Sequence, residues 1–396
     1  MKPLRPKIVL LLAAGMLIFG SSIWLSSPHA IKNMYIYQAQ SFLKGQVDID
    51  PDQYEAVRYK QRSYMMFPPL PAILLTPIVF FAGVSVNVIY ISTIFLVVSI
   101  FVLRNILQTL QIDQKSIPWI LVAFFVGTGY WFCFAWSSGV WQFSHIVGIT
   151  AMLLAIRQAL SNRNAWLVGF YLGLAFLTRQ LFIYSAIFLL VVIWKKDHQD
   201  RQAKVFDTVR FLSALAICVS GYLLWNWIRF DNVLDTGYSH MSIGTDYGGQ
   251  RIIQYGLFHP IYIPFNFYSY FIQGVHVNFA PPMLLKPVSM DPFGTSLPAA
   301  SPFIFFALAA KWKKPFLLSA WTSIFCALIH MMCYHTNGLV QINTMRYTLD
   351  FFPILILLVA LGTNEIRNNW WKATVVYSVL LNVLAMVALP MVQLSR

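Results

Sequence analysis

Acidic and basic residues are crowded into one short polar stretch near the start of the chain, GQVDIDPDQYEAVRYKQRSY. Closely spaced carboxylates can serve as a general base or as ligands of a divalent cation, and neighbouring cations can bind an anionic group. A solvated loop whose charges pair with one another is the competing interpretation. The candidate residues are the carboxylates Asp48, Asp50, Asp52 and Glu55 and the cations Arg58, Lys60 and Arg62.

Charged residues also interrupt apolar sequence at two later places. Arg179 divides GFYLGLAFLTRQLFIYSAIFLL, and Arg346 and Asp350 lie in TMRYTLDFFP. An ionisable residue at membrane depth is a candidate for function, although an arginine can also extend to the membrane surface. Arg346 and Asp350 are four residues apart, which predicts that they pair on one face of a helix.

The segment FAWSSGVWQFSHIVG places polar side chains among tryptophans at a predicted turn. Tryptophans at such a depth are typical of the aromatic belt of a membrane protein, but an aromatic face also suits a sugar ring. Trp141, Gln142 and His145 are therefore candidates for binding an acceptor or a sugar. No second ligand accompanies His145, so a structural histidine is favoured over a metal ligand.

The composition predicts an all-α polytopic membrane protein with a single membrane domain over residues 1–396. Of its residues, 58% are hydrophobic and 11% charged, and the mean hydropathy is +0.63, whereas soluble domains have about 25% charged residues. The net charge of +14 comes mostly from basic segments between apolar runs. This pattern indicates contact with membrane lipids and argues against nucleic acid as a partner. The four cysteines show no disulfide or zinc pattern, and nothing indicates an oligomeric state.

About 11 transmembrane helices are predicted from the apolar runs. The protein is predicted to lie in the plasma (inner) membrane. The distribution of basic residues predicts that the N-terminus is cytoplasmic, because 17 of the 28 Lys and Arg residues then lie on the cytoplasmic side. Two large extracytoplasmic loops result, 27–85 and 229–298, and the active site is expected there. The predicted spans are 8–26, 86–104, 117–135, 142–157, 165–178, 181–194, 212–228, 299–310, 315–333, 348–363 and 373–392.

The segment YMMFPPLPAILLTPIVFFAG is apolar enough to span a membrane, but we predict that it does not. If it crossed, every later loop would change sides and only 9 basic residues would lie inside. Its first three prolines also disfavour the start of a transmembrane helix. A juxtamembrane or re-entrant helix on the outer face is expected instead. A second outer helix, amphipathic and ending at Gly45, is predicted over residues 29–45.

The order of these motifs resembles that of the GT-C superfamily of membrane glycosyltransferases, which includes the protein O-mannosyltransferases and the lipid A aminoarabinose transferase. The resemblance covers about residues 5–195. It consists of a first span, a Y-x-x-x-A helix from Tyr35 to Ala39, the FPPL segment and the turn GFYLGLAFLTR that ends at Arg179. The later RYTLDFFP is similar to that of uncharacterised bacterial members.

This resemblance implies an inverting transfer of a hexose or pentose from a polyprenyl-phosphate donor to a lipid, glycan or protein acceptor on the extracytoplasmic face. Relatives carry an acidic residue shortly before the Y-x-x-x-A helix, but this chain has Lys32 and Asn33 there. Loss of activity therefore stays open. The predicted site residues are Glu55, then Asp52 and Asp50, for catalysis, and Arg179, supported by Arg62, Lys60 and Arg346, for the donor phosphate.

Two other classes of protein fit a basic helical membrane chain. A polysaccharide polymerase or ligase is the nearer alternative, although the second outer loop has few arginines. A transporter or flippase of lipid-linked sugars would normally show two similar halves, which this sequence lacks. A divalent cation is left open as a cofactor, and no other cofactor is indicated.

Overall fold

The computed structural model describes residues 20, 33–49, 56–161, 164–194, 200–241, 247–291, 294–336, 346–366 and 369–388. Helices dominate these residues, as the composition predicts, and two small antiparallel hairpins accompany them. The helices are α1 (Met34–Leu43), α2 (Leu70–Ala82), α3 (Val88–Thr109), α4 (Ile117–Phe125), α5 (Gly129–Ala135), α6 (Val140–Leu160), α7 (Ala165–Phe176), α8 (Ala186–Trp194), α9 (Arg201–Phe230), α10 (Tyr247–Tyr255), α11 (Ile263–Phe267), α12 (Leu297–Ala300), α13 (Lys314–Met332), α14 (Phe352–Glu365) and α15 (Trp370–Val383). The strands are β1 (Ala56–Tyr59), β2 (Arg62–Met65), β3 (Val277–Phe279) and β4 (Pro287–Met290).

Five of the described helices are long and apolar enough to cross a membrane, namely α3, α6, α9, α13 and α15 with its continuation to Val387. A sixth crossing results if α4 and α5, which are bent by 59°, form one span. Other predicted spans coincide with shorter helices. Helix α7, for example, has 12 residues and is about 18 Å long, less than a hydrocarbon core of about 30 Å. The count of 11 spans therefore stays a prediction, and the first predicted span lies outside the described residues.

Helices α3 and α6 run side by side in the same direction. Their shared direction gives a reference for naming the two ends of the helical bundle. The hydroxyls of Ser99 and Thr150 are 2.7 Å apart near the middle of the two helices, and Arg157 Nε donates to Asn105 Oδ1 at 2.9 Å farther along. We name the end where α6 begins the Trp141 end and the opposite one the Arg157 end.

Helix α2 contains the proline-rich segment and does not cross the bundle. At its start, the amide of Leu70 donates to the carbonyl of Leu177, which follows α7 as that helix returns toward the Trp141 end. After α2, the chain enters α3 at residue 88, which lies level with the start of α6. The chain therefore enters the α2 segment beside the turn after α7 and leaves it level with the start of α6. That this segment lies on the outer face of the membrane stays a prediction.

Helix α1 is more deeply packed than a helix lying on a membrane surface. Asn33 caps it by accepting a hydrogen bond from the Tyr35 amide at 3.0 Å, and Gly45 follows its last turn with φ +70°. Six of its ten side chains are buried, and it packs against α2. The amphipathic pattern thus marks a face that is covered by protein.

The first hairpin begins directly after the acidic residues. Tyr59 pairs with Arg62, so Lys60 and Gln61 form a two-residue turn, and both have positive φ, 45° and 64°. Such turns match the twist of the strands but usually contain Asn and Gly. The turn places Lys60 and Arg62 at the exposed tip of the hairpin.

A buried arginine holds the end of β2 in place. Arg229, in the last turn of α9, donates to the carbonyl of Met65 and to Asn226 Oδ1, and its guanidinium carbon lies 4.6 Å from the ring centroid of Trp225. The next residues are Met66 and the FPPL segment. Arg229 therefore fixes the backbone that enters this segment against the last turn of α9.

The predicted orientation can be tested by cysteine labelling. In a variant that lacks Cys326 and Cys333, a Lys204→Cys substitution is expected to resist an impermeant maleimide in intact cells, because Lys204 lies in the first turn of α9, within the basic segment 195–210 that is predicted to be cytosolic. Asn232→Cys, just beyond the other end of α9, should react. Labelling at position 204 without labelling at position 232 would contradict the predicted orientation and indicate the opposite one.

Candidate functional site

A cavity of about 780 Å³ lies toward the Trp141 end of the bundle. The first hairpin and the segment after it contribute one part of its wall, and the turn after α7 contributes another. The remaining wall comes from the start of α6, from the chain after α9, from α10 and the residues after it, from the end of α13 and the residues after it, and from residues 346–347. Its polar and charged lining residues are Ser144, Thr178, Arg179, Gln180, Tyr184, Thr236, Tyr238, His330, Tyr334, His335, Thr336, Arg346 and Tyr347.

The segments that carry the family resemblance converge on this cavity. Phe67 and Pro68 of the FPPL segment line it, and so does Arg179 at the end of the GFYLGLAFLTR turn. Tyr35, the first residue of the Y-x-x-x-A pattern, places its hydroxyl 2.6 Å from that of Ser144, which is also a lining residue. Three motifs that are far apart in sequence thus meet around one space.

Arg179 is held by a carboxylate from the other half of the chain. Its Nε donates to Asp350 Oδ1 at 2.7 Å and its Nη2 donates to Asp350 Oδ2 at 2.9 Å. The side chain of Asp350 is fully buried, whereas that of Arg179 is 16% exposed. The bidentate pair therefore fixes the plane of a guanidinium group that still reaches the cavity.

The geometry of this pair leaves one edge of the guanidinium group available. Arginine has five N–H donors, and the two bonds to Asp350 use the edge formed by Nε and Nη2. The second edge, formed by Nη1 and Nη2, can bind another anion in bidentate fashion. Asp350 can therefore orient Arg179 without occupying all of its donors.

The expected pairing of Arg346 with Asp350 is replaced by this longer-range pair. Residues 346–350 form a 3₁₀ helix and not an α-helix. With three residues per turn, positions four apart do not face the same direction. Asp350 instead points to Arg179, 171 residues earlier in the chain.

Arg346 lies in an aromatic part of the cavity wall. Its guanidinium carbon is 4.4 Å from the ring centroid of Trp141 and 5.2 Å from that of Tyr347. Tyr347 is also 5.4 Å from the guanidinium carbon of Arg179. Aromatic faces stabilise a cation through the quadrupole of the ring. Two arginines therefore share one cavity, with an aromatic residue in contact with both.

Of the three predicted acceptor or sugar-binding residues, Trp141 lines the cavity, whereas Gln142 and His145 do not. The Gln142 side chain folds back over Gly139, where a Cβ atom would lie 2.0 Å from its Oε1. His145 is fully buried, and its Nδ1 lies 3.4 Å from Asp350 Oδ1. His145 thus adjoins the buried carboxylate of the pair.

Two predicted phosphate-binding residues lie outside the cavity lining. Lys60 donates to Asp231 at 2.7 Å, and both side chains are more than half exposed. This hydrogen bond raises the pKa of Lys60 above its usual value. Arg62 lies 4.0 Å from Asp48 and is also exposed. Both residues belong to the exposed tip of the hairpin, whereas Ala56, at the base of the hairpin, lines the cavity.

The predicted catalytic residues Asp50, Asp52 and Glu55 lie outside the described residues. Glu55 directly precedes Ala56, which does line the cavity. Within the described ranges, no group of three or more His, Cys, Asp or Glu residues is arranged to hold a metal ion. Asn33, in the region where the resemblance implies an acidic residue, donates to the carbonyl of Ser137 at 2.9 Å and caps α1.

The cavity lining combines positive charge with apolar side chains. Arg179 and Arg346 supply the positive charge, and neither Asp nor Glu occurs among the described lining residues. Apolar residues come from the turn after α7, from α10 and the residues that follow it, and from the end of α13. These residues are Phe176, Leu181, Ile183, Ile252, Leu257, Phe258 and Met331. Such a space suits an anion attached to an apolar chain.

The sequence contains a pattern that is consistent with the pairing of Arg179 and Asp350, although the spacing of nearby residues predicted a pair between Arg346 and Asp350. Arg179 and Asp350 each interrupt an apolar segment, and isolated opposite charges at membrane depth are expected to pair with one another. For Tyr238, Tyr347 and His335, which also line the cavity, no pattern in the sequence distinguishes them from other aromatic or polar residues near helix ends.

The Arg179–Asp350 pair can be tested by its effect on stability. Asp350→Ala is expected to cost about 3–5 kcal/mol because it leaves a largely buried guanidinium group without its partner. The double variant Asp350→Ala/Arg179→Met should recover part of that loss. Thermal unfolding in detergent would measure both, with Asp231→Ala as the control for an exposed ion pair. Equal effects of Asp350→Ala and Asp231→Ala would contradict the pairing.

Because comparisons with known proteins find no match, the site is interpreted from its own geometry. No family model, no curated protein and no solved structure matches this chain.

Proposed function

We propose that this protein is a membrane glycosyltransferase that moves a sugar from a polyprenyl-phosphate donor to an acceptor on the extracytoplasmic face. The observation that carries the proposal is that Phe67, Pro68 and Arg179 line one cavity. A second arginine, Arg346, and many apolar residues line the same cavity. Phe67, Pro68 and Arg179 belong to the motifs by which the sequence resembles the GT-C superfamily.

The chemistry of the cavity supports a lipid-linked anion as its ligand. A guanidinium group binds phosphate oxygens in bidentate fashion, and partial burial strengthens the contact. Arg179 has one edge available for this role, and Arg346 adds a second positive charge. The apolar lining residues offer a surface for the first isoprene units of the carrier, because removing apolar groups from water is energetically favourable.

The reaction follows from the chemistry of such a donor. An acceptor hydroxyl oxygen attacks the anomeric carbon, and the bond between that carbon and the phosphate oxygen breaks with its electron pair on the phosphate. The hydroxyl proton passes to a carboxylate base. Arg179 and Arg346 stabilise the charge that develops on the departing phosphate, and Trp141 offers a face against which a sugar ring can stack.

Binding of the carrier headgroup is the first test. Farnesyl phosphate is expected to raise the thermal midpoint of the purified protein, by mass action on the folded state. Farnesol, which has the same chain without the charge, should raise it much less. Equal shifts from both ligands would remove the phosphate from the proposed interaction.

Transfer is the second test and separates the proposed enzyme from a lipid transporter. Protein reconstituted in nanodiscs is incubated with polyprenyl-phosphate-linked mannose, glucose or aminoarabinose and with an extract of envelope lipids and glycans. The enzyme is expected to consume one donor and release polyprenyl phosphate. A flippase would leave all donors intact but would move them across the bilayer of a proteoliposome.

A further inference from the structure

The second hairpin of the protein carries an apolar tip that no other described segment covers. Strands β3 and β4 are joined by residues 280–286, and the Ala280 amide closes the turn by donating to the Lys286 carbonyl at 2.8 Å. Three successive side chains at the tip, Met283, Leu284 and Leu285, are 74%, 60% and 77% exposed. In water this would be an unfavourable arrangement for a short loop.

The charge at the tip of the hairpin is of one sign. Residues 277–290 include Lys286 but neither Asp nor Glu, and Asp291 lies at the base of the hairpin, where its amide donates to the His276 carbonyl. Lys286 directly follows the apolar tip. At a membrane surface, the methylene groups of a lysine can lie along apolar surface while its ammonium group reaches the lipid headgroups. An apolar tip flanked by a cation is complementary to the surface of a bilayer that contains anionic lipids.

The hairpin is also continuous in sequence with segments suited to lipid. It is preceded by Tyr268–Ile272, in which Tyr268 and Ile272 are 52% and 59% exposed. It is followed, within about a dozen residues, by the apolar helix Pro302–Ala309, in which Leu308 is 75% exposed. Strands of this length reach only about 10–15 Å at about 3.3 Å per residue, so the tip stays close to these flanking segments.

We infer that the tip of the β3–β4 hairpin inserts into the outer leaflet of the membrane and anchors the second outer loop there. Its partner is the phospholipid surface itself, with Met283, Leu284 and Leu285 among the acyl chains and Lys286 at the anionic headgroups. This inference is independent of the proposed catalytic function, since the hairpin contributes no residue to the cavity lining.

Spin labelling in nanodiscs tests the inserted tip. Cys326 and Cys333, which are partly exposed, are first replaced, and a nitroxide is attached at Leu284→Cys. Two controls calibrate the accessibility: Ile217→Cys, 62% exposed in the middle of α9, for lipid, and Asn232→Cys for water. The label at 284 is expected to resemble that at 217, with higher accessibility to oxygen than to a water-soluble nickel complex.

Two outcomes would overturn the inference. A label at 284 that behaves like the one at 232 would place the tip in water, and a label shielded from both reagents would indicate a protein partner. The contribution of charge is tested with Lys286→Glu in the same background. Replacing part of the phosphatidylcholine by phosphatidylglycerol should deepen the label only when Lys286 is present. An equal response of both variants would exclude recognition of anionic lipids.

Discussion

Replacing Arg179 by Ala is expected to weaken the binding of farnesyl phosphate by about 100-fold or more, because two charge-assisted hydrogen bonds of about 1.5–3 kcal/mol each are lost. Binding of neutral farnesol should change little. Arg179→Lys is expected to bind the phosphate with intermediate affinity, since an ammonium group cannot contact Asp350 and a phosphate through two separate planar edges.

A loss of folding must be separated from a loss of binding in this experiment. Arg179→Ala leaves the buried carboxylate of Asp350 without its partner, so the variant Arg179→Ala/Asp350→Asn is measured beside it. Arg157→Ala is the matched control, because that arginine lies at the opposite end of the bundle, where it bonds to Asn105. Undiminished farnesyl phosphate binding by both Arg179 variants would remove this residue from the site.

Asp350 is expected to act through Arg179 and not on the ligand. Asp350→Asn retains one possible acceptor for Arg179 but loses the charge and the symmetric bidentate contact. It should therefore weaken phosphate binding less than Arg179→Ala does. Because Asp350 does not line the cavity, the Asn substitution should leave the binding of farnesol unchanged. A purely structural role would lower both affinities together.

The sequence predicts the helical framework because long apolar segments allow few other structures in a membrane. With no water to satisfy backbone polar groups, such segments form helices. The span predicted over 86–104 is α3, Val88–Thr109, and that over 142–157 is α6, Val140–Leu160. The prolines and the charge distribution predict that α2 is a juxtamembrane or re-entrant helix on the outer face, and that placement stays a prediction.

The arrangement of the site is less accessible to prediction because it depends on contacts between distant segments. The pairing of Arg179 with Asp350 requires the turn after α7 and the 3₁₀ helix before α14 to meet. The position of Lys60 depends on a hairpin whose turn, Lys60-Gln61, lacks the usual Asn-Gly signature. Local patterns identified charged residues worth testing, but tertiary packing determined which of them face the cavity.

Positive charge alone does not account for the proposed catalysis. Arg179 and Arg346 can hold and stabilise a departing phosphate, but they cannot accept the proton of an attacking hydroxyl. The described lining of the cavity contains no carboxylate. Asp350 is committed to Arg179 and is fully buried. We therefore predict that the base comes from the first outer loop, in which Glu55 directly precedes the lining residue Ala56.

Glu55→Gln is expected to lower the rate of sugar transfer by about 10²–10⁴-fold, the usual effect of removing a general base, while farnesyl phosphate still binds. Glu55 is favoured over Asp52 and Asp50 because it is joined directly to Ala56, a lining residue.

The rate is measured as release of polyprenyl phosphate, with Asp52→Asn as the next candidate. Asp231→Asn serves as the control for loss of an exposed outer carboxylate. If Glu55→Gln and Asp52→Asn both retain full rates and Asp235→Asn or Asp291→Asn is slow, the base belongs to the second outer loop. The acidic residues before β1 would then have only a structural or solvating role.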